Sequence, residues 1–379
     1  MKPLSALNYS KNNRKKLITS TISIIVAVLF LFVFQTFIKS ILDTMYQVNT
    51  KAYNIHVRIY SVEKDRSITE KIINEIKNDP NVEKIIPFIP YTTRYIIPAS
   101  MSTTDILGVR AEDMEYFMKR HKITLKEGRL PLEGNKEVAL DLRVAKNKKV
   151  KLGDKIGNSV IKNDSLDGEY TVVGLLEEKD FISLMPYNTS STSIKLNETN
   201  MLQISALVFP KDNKLSQVDT LVSSFSSSDV SALGLNKINK LFNDNMSILK
   251  TLDMICIIAI MVMVISVGSS KYVQFYSRKQ EFGVLNALGY TKTLIMKKAF
   301  MEILLVNTLG FSIGLAFGVL VSFLFTNVAF TAVGAIGVFF GAKAFLIGLF
   351  IPLFTTLFTL IPVNRMINKL DPIVMIEGI

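Results

Sequence analysis

Few side chains in this sequence could carry out covalent or metal chemistry. The 379 residues include two histidines and one cysteine. His56 and His121 lie far apart, so we interpret them as ordinary surface or core residues, and no Cys/His spacing predicts a zinc site. Serines such as Ser190, Ser191 and Ser193 are more simply loop residues than nucleophiles, because no base or oxyanion-stabilising group accompanies them. The sequence therefore predicts no catalytic or metal-binding residue, and the chain is not predicted to be an enzyme.

Nucleotide and nucleic-acid chemistry are also disfavoured. The pattern GxxxxGK[ST], whose backbone cradles phosphates, does not occur, so the chain is not predicted to bind ATP in that manner. The formal net charge of +12 would suit a nucleic-acid partner. Many of the basic residues lie beside long apolar segments, however, as expected for the cytoplasmic flanks of membrane spans. We therefore predict no nucleic-acid partner.

The most distinctive charged stretch is RKQEFGVLNALGYTK, residues 278–292, which lies between two very hydrophobic segments. Arg278 and Glu281 stand one helical turn apart and can pair with each other. Apolar residues recur at every third position and predict one apolar helix face: Phe282, Leu285 and Leu288. Gly289 stands where a left-handed helix end is commonly needed, and Thr291 can cap the helix that follows. The pattern predicts a short helix and turn along the membrane surface, which either merely anchors this loop or has a more specific role.

Long apolar segments must hold this stretch in place. A bilayer core is about 30 Å thick, so roughly 20 apolar residues in a helix are needed to cross it. Four segments are predicted as transmembrane helices: 17–38, 246–268, 299–325 and 344–363. Lys250 and Asp253, close together in the second segment, are predicted to pair at the membrane edge.

Lysine and arginine residues predict the orientation of these segments. Residues 1–16 carry five basic residues and no acid, and residues 269–298 carry six against a single glutamate. The connection between the third and fourth segments has one lysine. The remaining regions are therefore predicted as a cytoplasmic amphipathic N-terminal segment (1–16), an extracytoplasmic domain (39–245), a cytoplasmic loop (269–298), a short outer connection (326–343) and a cytoplasmic C-terminal tail (364–379).

Residues 39–245 have the pattern of a folded polar domain, with frequent charges and short apolar runs. Alternating or β-rich segments predict strands at 51–60, 82–99, 135–141, 150–156, 170–176 and 202–209. Helical periodicity predicts helices at 67–79 and 215–225. The predicted fold is an α-helical membrane protein with four transmembrane helices plus an α+β extracytoplasmic domain inserted between helices 1 and 2.

Two features of the third apolar segment predict helix contacts. Three glycines at intervals of four residues would let helix backbones approach closely, either within the chain or across a dimer: Gly310, Gly314 and Gly318. Glu302 is an acid at the inner edge of the same segment. An intramembrane acid suggests function, but a salt bridge to Lys298, four residues back, is the simpler interpretation.

Here the sequence resembles a known family. RKQEFGVLNALGYTK, followed by LIMKKAFMEILLVNTLGFSIGLAFG, is similar to the signature of MacB/FtsX-type ABC transporter permeases, also called type VII. The closing LIPVNRMINKLDPIVMIEG is similar to the C-terminal pattern of that family, and ALNYSKNNRKKLITS to its N-terminal lead. LKEGRLPLEGNKEVAL, KLGDKI and EYTVVGLLE resemble the MacB-like periplasmic core domain. Residues 180–200 match no part of the family pattern.

The resemblance implies partners and a mechanism. It implies a multi-pass protein of the bacterial cytoplasmic membrane with both termini cytoplasmic, working as a homodimer in contact with membrane lipid. A separate ABC ATPase subunit would bind ATP and Mg, so this chain would hold no cofactor. An extracytoplasmic accessory protein is a further partner that the family allows. Motion driven by ATP would pass through the helices to the extracytoplasmic domain, which is termed mechanotransmission.

The resemblance also assigns the short cytoplasmic helix as a coupling helix that docks in a groove of the ATPase. The residues that it places in this role are Arg278, Glu281, Phe282, Gly283, Leu285, Leu288 and Gly289. Phe282, Leu285 and Leu288 would fill the groove, so Leu285→Asp would abolish co-purification with the ATPase. Arg278 and Glu281 would set the orientation by rim charge pairs or pair with each other.

Two functions follow from the resemblance. The first is a permease that exports or extracts an amphiphilic substrate such as a peptide, an antibiotic or a lipid-like molecule. The alternative is an FtsX-like signalling scaffold that activates a cell-wall hydrolase without transport. The MacB-like motifs in the large domain favour the first, and no substrate-binding residue is identified.

Overall fold

Residues 14–61, 66–177, 180–187, 205–227, 230–245 and 247–369 are described by a computed structural model. The predicted amphipathic segment 1–16 and the tail 364–379 therefore lie largely outside the described residues, as does most of the stretch 180–200. The chain forms two compact units. The membrane unit contains the chain up to Lys39, Ile248–Thr326 and the residues from Val338 onward, and the inserted domain contains Ser40–Ser247 and Asn327–Gly337.

Four long apolar helices are found in the described residues. They are α1 (Arg14–Thr50), α7 (Ser247–Tyr276), α9 (Lys292–Phe325) and α10 (Ala342–Asn368). Each contains a window with a mean hydropathy of at least 2.1, and each is long enough to cross a bilayer. The four-helix membrane fold is therefore confirmed.

α1 extends well beyond the predicted span 17–38. Its 37 residues correspond to about 55 Å at about 1.5 Å per residue. Residues 39–50 contain no glycine or proline that would end the helix. Ile41, Thr44 and Val48 in this extension are buried and recur at helical spacing, so one face of the extension is packed.

The three glycines of α9 pack against α1 within the chain. A Cβ atom on Gly310 would lie 2.8 Å from Ile24, and one on Gly314 would lie 2.9 Å from the backbone oxygen of Ile25. A Cβ on Gly318 would lie 3.1 Å from the Phe32 ring. These distances leave no room for a side chain at the first two positions. Of the two predicted contacts, the structure therefore shows the one within the chain.

The inserted domain contains five further α-helices and all of the strands in the described residues. The helices are α2 (Arg66–Lys77), α3 (Ala111–His121), α4 (Leu142–Lys148), α5 (Leu215–Ser224) and α6 (Leu235–Asn245). The strands are β1 (Val57–Ser61), β2 (Val82–Ile97), β3 (Ser100–Val109), β4 (Thr124–Gly128), β5 (Glu137–Asp141), β6 (Lys155–Ile156), β7 (Tyr170–Glu177), β8 (Ser183–Pro186), β9 (Ser205–Pro210) and β10 (Val230–Leu233).

These strands form one mixed sheet. Its order is β10-β1-β9-β2-β3-β8-β5-β7-β4, and β6 pairs with β7. Most neighbours are antiparallel, but β3 pairs with β8 and β5 with β7 in parallel. Helices pack on the sheet around two apolar clusters, one near Phe117 and Phe209 and one near Val218 and Val222. The α+β class of the domain between helices 1 and 2 is therefore confirmed.

The close approach of α9 to α1 gives a first prediction. Gly314→Leu should lower the free energy of unfolding by roughly 1–3 kcal/mol or more, because the added side chain meets the backbone of α1. Ala316→Leu is the matched control, since Ala316 is exposed on the same helix. Thermal unfolding in detergent measures both variants, and equal midpoints would contradict the packing described here.

Candidate functional site

A short helix, α8 (Lys279–Ala287), joins α7 to α9. Its C-terminal end is closed by Gly289 in the left-handed conformation, with φ at 90°, and by a hydrogen bond from Tyr290 N to Leu285 O of 3.1 Å. Thr291 then caps α9, its side-chain oxygen accepting from the backbone N–H of Leu294. Both backbone features are as predicted from the sequence.

A cluster of four charged side chains fastens α8 to the first turns of α9. Arg278 Nη1 donates to Glu302 Oε2 at 2.7 Å, and Arg278 Nε donates to Glu281 Oε2 at 2.9 Å. Lys298 Nζ donates to Glu281 Oε1 at 3.0 Å. The guanidinium carbon of Arg278 also lies over the rings of Phe275 and Phe282, at 5.6 and 5.1 Å from their centres. The cluster contains two cations and two anions, so its formal charges cancel.

One predicted ion pair is wrong. Glu302 pairs with Arg278 rather than with Lys298, and Lys298 pairs with Glu281. The planar fork of Arg278 contacts the carboxylates of Glu302 and Glu281 at once. Asp253 pairs with Lys343 at 2.7 Å. The pair predicted between Asp253 and Lys250 involves a lysine side chain outside the described residues, so it stays a prediction.

Burial and ion pairing shift the pKa values of the charged groups in this cluster in opposite directions. Burial opposes the charge of Arg278, but its hydrogen bonds to Glu281 and Glu302 outweigh this effect and raise the pKa of the guanidinium. Burial would also raise the pKa of Glu281, but the hydrogen bonds from Arg278 and Lys298 lower it. Both groups therefore stay charged at neutral pH, and the attachment of α8 persists.

The apolar side chains of α8 do not form the single accessible face that was predicted. Phe282 and Leu285 are buried in a cluster within the membrane unit, together with Ile295, Ile303 and Val363. Gly283 is also buried. A three-residue step advances about 300° around a helix, so residues at this spacing drift by about 60° per step. The predicted set is therefore corrected: Phe282 and Leu285 hold α8 in place and are not available to fill a partner's groove.

The large apolar side chains that are exposed on α8 and at its end are Val284 and Leu288. They are 52% and 71% exposed, and they stand one turn apart. Leu288 belongs to the predicted set, whereas Val284 was missed. Its spacing of four residues from Leu288 was the signal in the sequence that could have identified it.

In the inserted domain, the two histidines meet in a buried hydrogen-bonded chain. His56 Nδ1 lies 3.0 Å from His121 Nε2, and His121 Nδ1 lies 3.0 Å from Asp180 Oδ2. Arg58 Nε donates to His56 Nε2 at 3.1 Å, and the same guanidinium contacts Asp105 Oδ2 at 2.6 Å. The histidines are core residues, but the interpretation of them as isolated is wrong. Strand and helix packing brings them together across 65 positions of sequence.

The direction of this chain follows from its donors. Arg58 can only donate, so His56 Nε2 must accept and the proton of neutral His56 must lie on Nδ1. His56 Nδ1 then donates to His121 Nε2, which places the His121 proton on Nδ1, where it donates to Asp180. Each histidine is neutral with one donor and one acceptor used. An added proton on either ring would oppose two N–H groups, so it would break a hydrogen bond.

Comparisons with known proteins decide the family. The model of the MacB-like periplasmic core domain matches residues 17–218, more than half of the chain, and the model of the FtsX-like permease C-terminal region matches residues 254–370. The chain is a MacB/FtsX-type ABC transporter permease. No curated protein shows significant similarity to it.

Two solved structures are similar to the inserted domain of the permease. The periplasmic region of MacB from Actinobacillus actinomycetemcomitans is 16% identical, with 52% of this chain and 95% of that chain covered and a TM-score of 0.30. The extracellular domain of the ABC-type transporter YknZ from Gram-positive bacteria is 13% identical, with 47% and 100% covered and a TM-score of 0.29. α8 and its charged cluster lie within the region matched by the FtsX-like permease model.

The charged cluster gives a prediction for the stability of the permease. Arg278→Met should lower the free energy of unfolding by roughly 3–5 kcal/mol, because it leaves Glu302 buried without its partner. The double variant Arg278→Met/Glu302→Leu should recover most of the loss, since no buried charge remains unpaired. Chemical unfolding in detergent measures both, and a double variant no more stable than the single one would contradict this account.

The histidine chain predicts a pH dependence. Burial is the main factor that lowers the pKa of His56 well below its usual range, and it also lowers the pKa of His121. The unfolded chain has ordinary histidine pKa values of about 6.5, so below that pH it binds more protons than the folded protein. The free energy of unfolding should therefore be constant above about pH 7 and fall below about pH 6.5, by up to about 1.4 kcal/mol per pH unit for each histidine.

Thermal unfolding between pH 7.5 and 5.0 measures this dependence. The variant His56→Gln/His121→Gln should be less stable at pH 7.5 but should lose the part of the slope that the histidines cause. Nitrogen-15 labelling of histidine should show two imidazole rings, both in the Nδ1-protonated neutral form. An unchanged slope in the variant, or a charged histidine at pH 7, would contradict the prediction.

Proposed function

We propose that the chain is the membrane subunit of an ABC transporter in which a separate ATPase subunit drives the permease through α8. In ABC permeases of this family the ATPase is a separate subunit. The observation that carries the proposal is the construction of α8: its inner face is fixed by a buried ion cluster and an apolar cluster, and its outer face presents Val284 and Leu288. Exposed apolar side chains on a rigidly held helix are suited to docking.

The attachment of α8 suits it to transmit force. Arg278 and Glu281 connect it to Glu302 and Lys298 on α9, and Phe275 of α7 packs in the same apolar cluster as Phe282. A push on α8 would therefore move the ends of α7 and α9 rather than be absorbed by a loose loop. α7 is one continuous helix that begins directly after the inserted domain. Transmission of ATP-driven motion to that domain along α7 is the mechanism that we infer.

The proposal also covers the orientation of the chain in the membrane and the partners of the chain. The excess of Lys and Arg in residues 1–16 and 269–298 supports a cytoplasmic position of both segments, with the inserted domain on the other side of the bacterial cytoplasmic membrane. ATP and Mg would be bound by the ATPase. The permease would act as a homodimer, and α7 has the surface for it, since only 22% of its most apolar window is buried within the chain.

An amphiphilic substrate is the class that we propose for export or extraction. A groove of about 600 Å³ on the membrane unit supports this class. Only apolar side chains of α7 and α10 line it: Ile257, Ile260, Met261, Val264, Ile265, Phe350, Phe354, Leu357, Phe358 and Ile361. Such a surface accommodates hydrocarbon and gives no partner to a polar group, so the polar part of a substrate would have to lie elsewhere.

Docking through Leu288 can be tested directly. Leu288→Asp should abolish co-purification with the ATPase and its stimulation by the permease, because it places a charge in the proposed apolar contact. The protein should still insert and fold, since Leu288 is 71% exposed. Leu132→Asp in the inserted domain is the matched control, with an exposed leucine at 55%.

The outcome separates docking from general damage. Leu285→Asp is not a suitable test, because Leu285 is buried and its replacement would destabilise the membrane unit. Co-purification of the Leu288 variant at the level of the Leu132 control would rule out docking through this surface.

A further inference from the structure

One buried lysine in the membrane unit has no role in the site described above. Lys271 lies on α7 and is 3% exposed. Among the described residues no carboxylate lies within ion-pair distance of it, and its ammonium nitrogen donates to Asn307 Oδ1 on α9. The neighbouring positions on the same helix face, Val267 and Phe275, are buried and apolar. Lys271 thus interrupts an otherwise apolar contact surface.

Asn307 continues the connection to α10. Its Nδ2 donates to the backbone oxygen of Pro352 at 3.0 Å and to Thr356 Oγ1 at 2.6 Å. Thr356 Oγ1 in turn donates to the same Pro352 oxygen at 2.6 Å. The amide of Asn307 therefore accepts from α7 on one side and donates to α10 on the other, so one polar connection joins three helices.

The connection reaches α10 at one of the two prolines inside this helix. Proline has no backbone N–H, so Pro352 leaves the carbonyl of Gly348 without its helical donor. A helix bends more easily at such a position. The side chains of Asn307 and Thr356 both donate hydrogen bonds to the Pro352 carbonyl, in addition to the backbone hydrogen bonds of α10. The positions of these two side chains therefore affect the local geometry of α10.

The energetic cost of burying Lys271 argues against a purely structural role for this residue. A buried amine with one neutral acceptor is expensive in an apolar bundle, whereas an apolar residue such as those at 267 and 275 would pack at no such cost. Polar and ionisable groups inside membrane bundles commonly mark functional positions. Lys271 also lies about two helical turns before α8, on the helix that α8 would move.

We propose that Lys271 is a positioning residue that couples displacement of α7 to bending of α10 at Pro352, through Asn307 and Thr356. The inference rests on the proposed function, because α8 supplies the displacement. When the ATPase moves α8, α7 carries Lys271 with it, and the hydrogen bond to Asn307 transfers the movement to the Pro352 carbonyl. The outer half of α10 then changes its angle to α9.

Distance measurement between spin labels tests the coupling. The full chain, co-expressed with its ATPase and placed in lipid nanodiscs, is labelled at Leu320→Cys on α9 and Leu346→Cys on α10, after Cys256→Ser. Both leucines are exposed on the membrane unit, and Leu346 lies on the outer side of Pro352. Pulsed electron resonance measures the distance between the labels without nucleotide and with ATP, Mg and vanadate.

The expected result is an ATP-dependent change in this distance for the parent protein and its loss in Lys271→Met, with ATPase binding and hydrolysis retained. Lys271→Gln, which keeps a donor for Asn307, should restore part of the change. Lys297→Met, at an exposed lysine of α9, is the matched control and should behave as the parent. Thr356→Val leaves Lys271 intact and should also reduce the change, so it tests the coupling even where Lys271→Met fails to fold.

The outcomes separate this inference from the proposed function. No distance change in the parent protein, with ATP hydrolysis proceeding, contradicts the bending of α10 and overturns this inference, whereas docking of the ATPase at α8 is tested separately by the Leu288 variant. A change in the parent that persists in full in Lys271→Met, or in Thr356→Val where the first variant does not fold, overturns the inference alone.

Discussion

The charged groups buried at the start of α8 are paired with one another, and this pairing fixes the position of α8. Arg278 lies against two stacked aromatic rings at the start of the helix, where burial makes an unpaired guanidinium costly. Glu302 on α9 and Glu281 on α8 both satisfy it, and Lys298 balances the second carboxylate. Removal of Arg278 would leave the buried carboxylate of Glu302 without its partner. The cluster therefore defines where α8 attaches, and the apolar cluster of Phe282 and Leu285 completes that attachment.

The inserted domain also contains buried ionisable side chains. Its buried histidines stay neutral, and a single direction of donation from Arg58 through His56 and His121 to Asp180 satisfies every ring nitrogen. The ion cluster near α8 depends on opposite charges, whereas the histidine chain depends on the absence of charge. Acid therefore acts on the two regions through different interactions, because protonation of a histidine would break a hydrogen bond of the chain, whereas protonation of Glu281 would remove the charge that holds its ion pairs.

The parts of this structure that depend on residues close together in the sequence were predicted from the sequence. Uncharged segments of sufficient length located the four membrane helices, and Gly289 and Thr291 marked the turn after α8. Contacts between residues that lie far apart in the sequence could not be predicted from it. The partner of Glu302 depends on how α7 ends, and the burial of Leu285 depends on α9 and α10. Strand β4 was missed because all of its residues are exposed, and β3 because its Ser- and Thr-rich start lacks a β-like apolar pattern.

The helices of the membrane unit are packed to different extents, and this difference bears on which of them can shift. α1 and α9 touch through glycines at distances that leave no space for a side chain at Gly310 or Gly314. About 44% of the most apolar window of α1 is buried, against 22% for α7. A tight backbone contact tolerates little sliding, whereas a helix with few packed residues can shift at a smaller cost. α7, which is joined to α8 at one end and to the inserted domain at the other, is therefore the helix whose displacement disturbs the least packing.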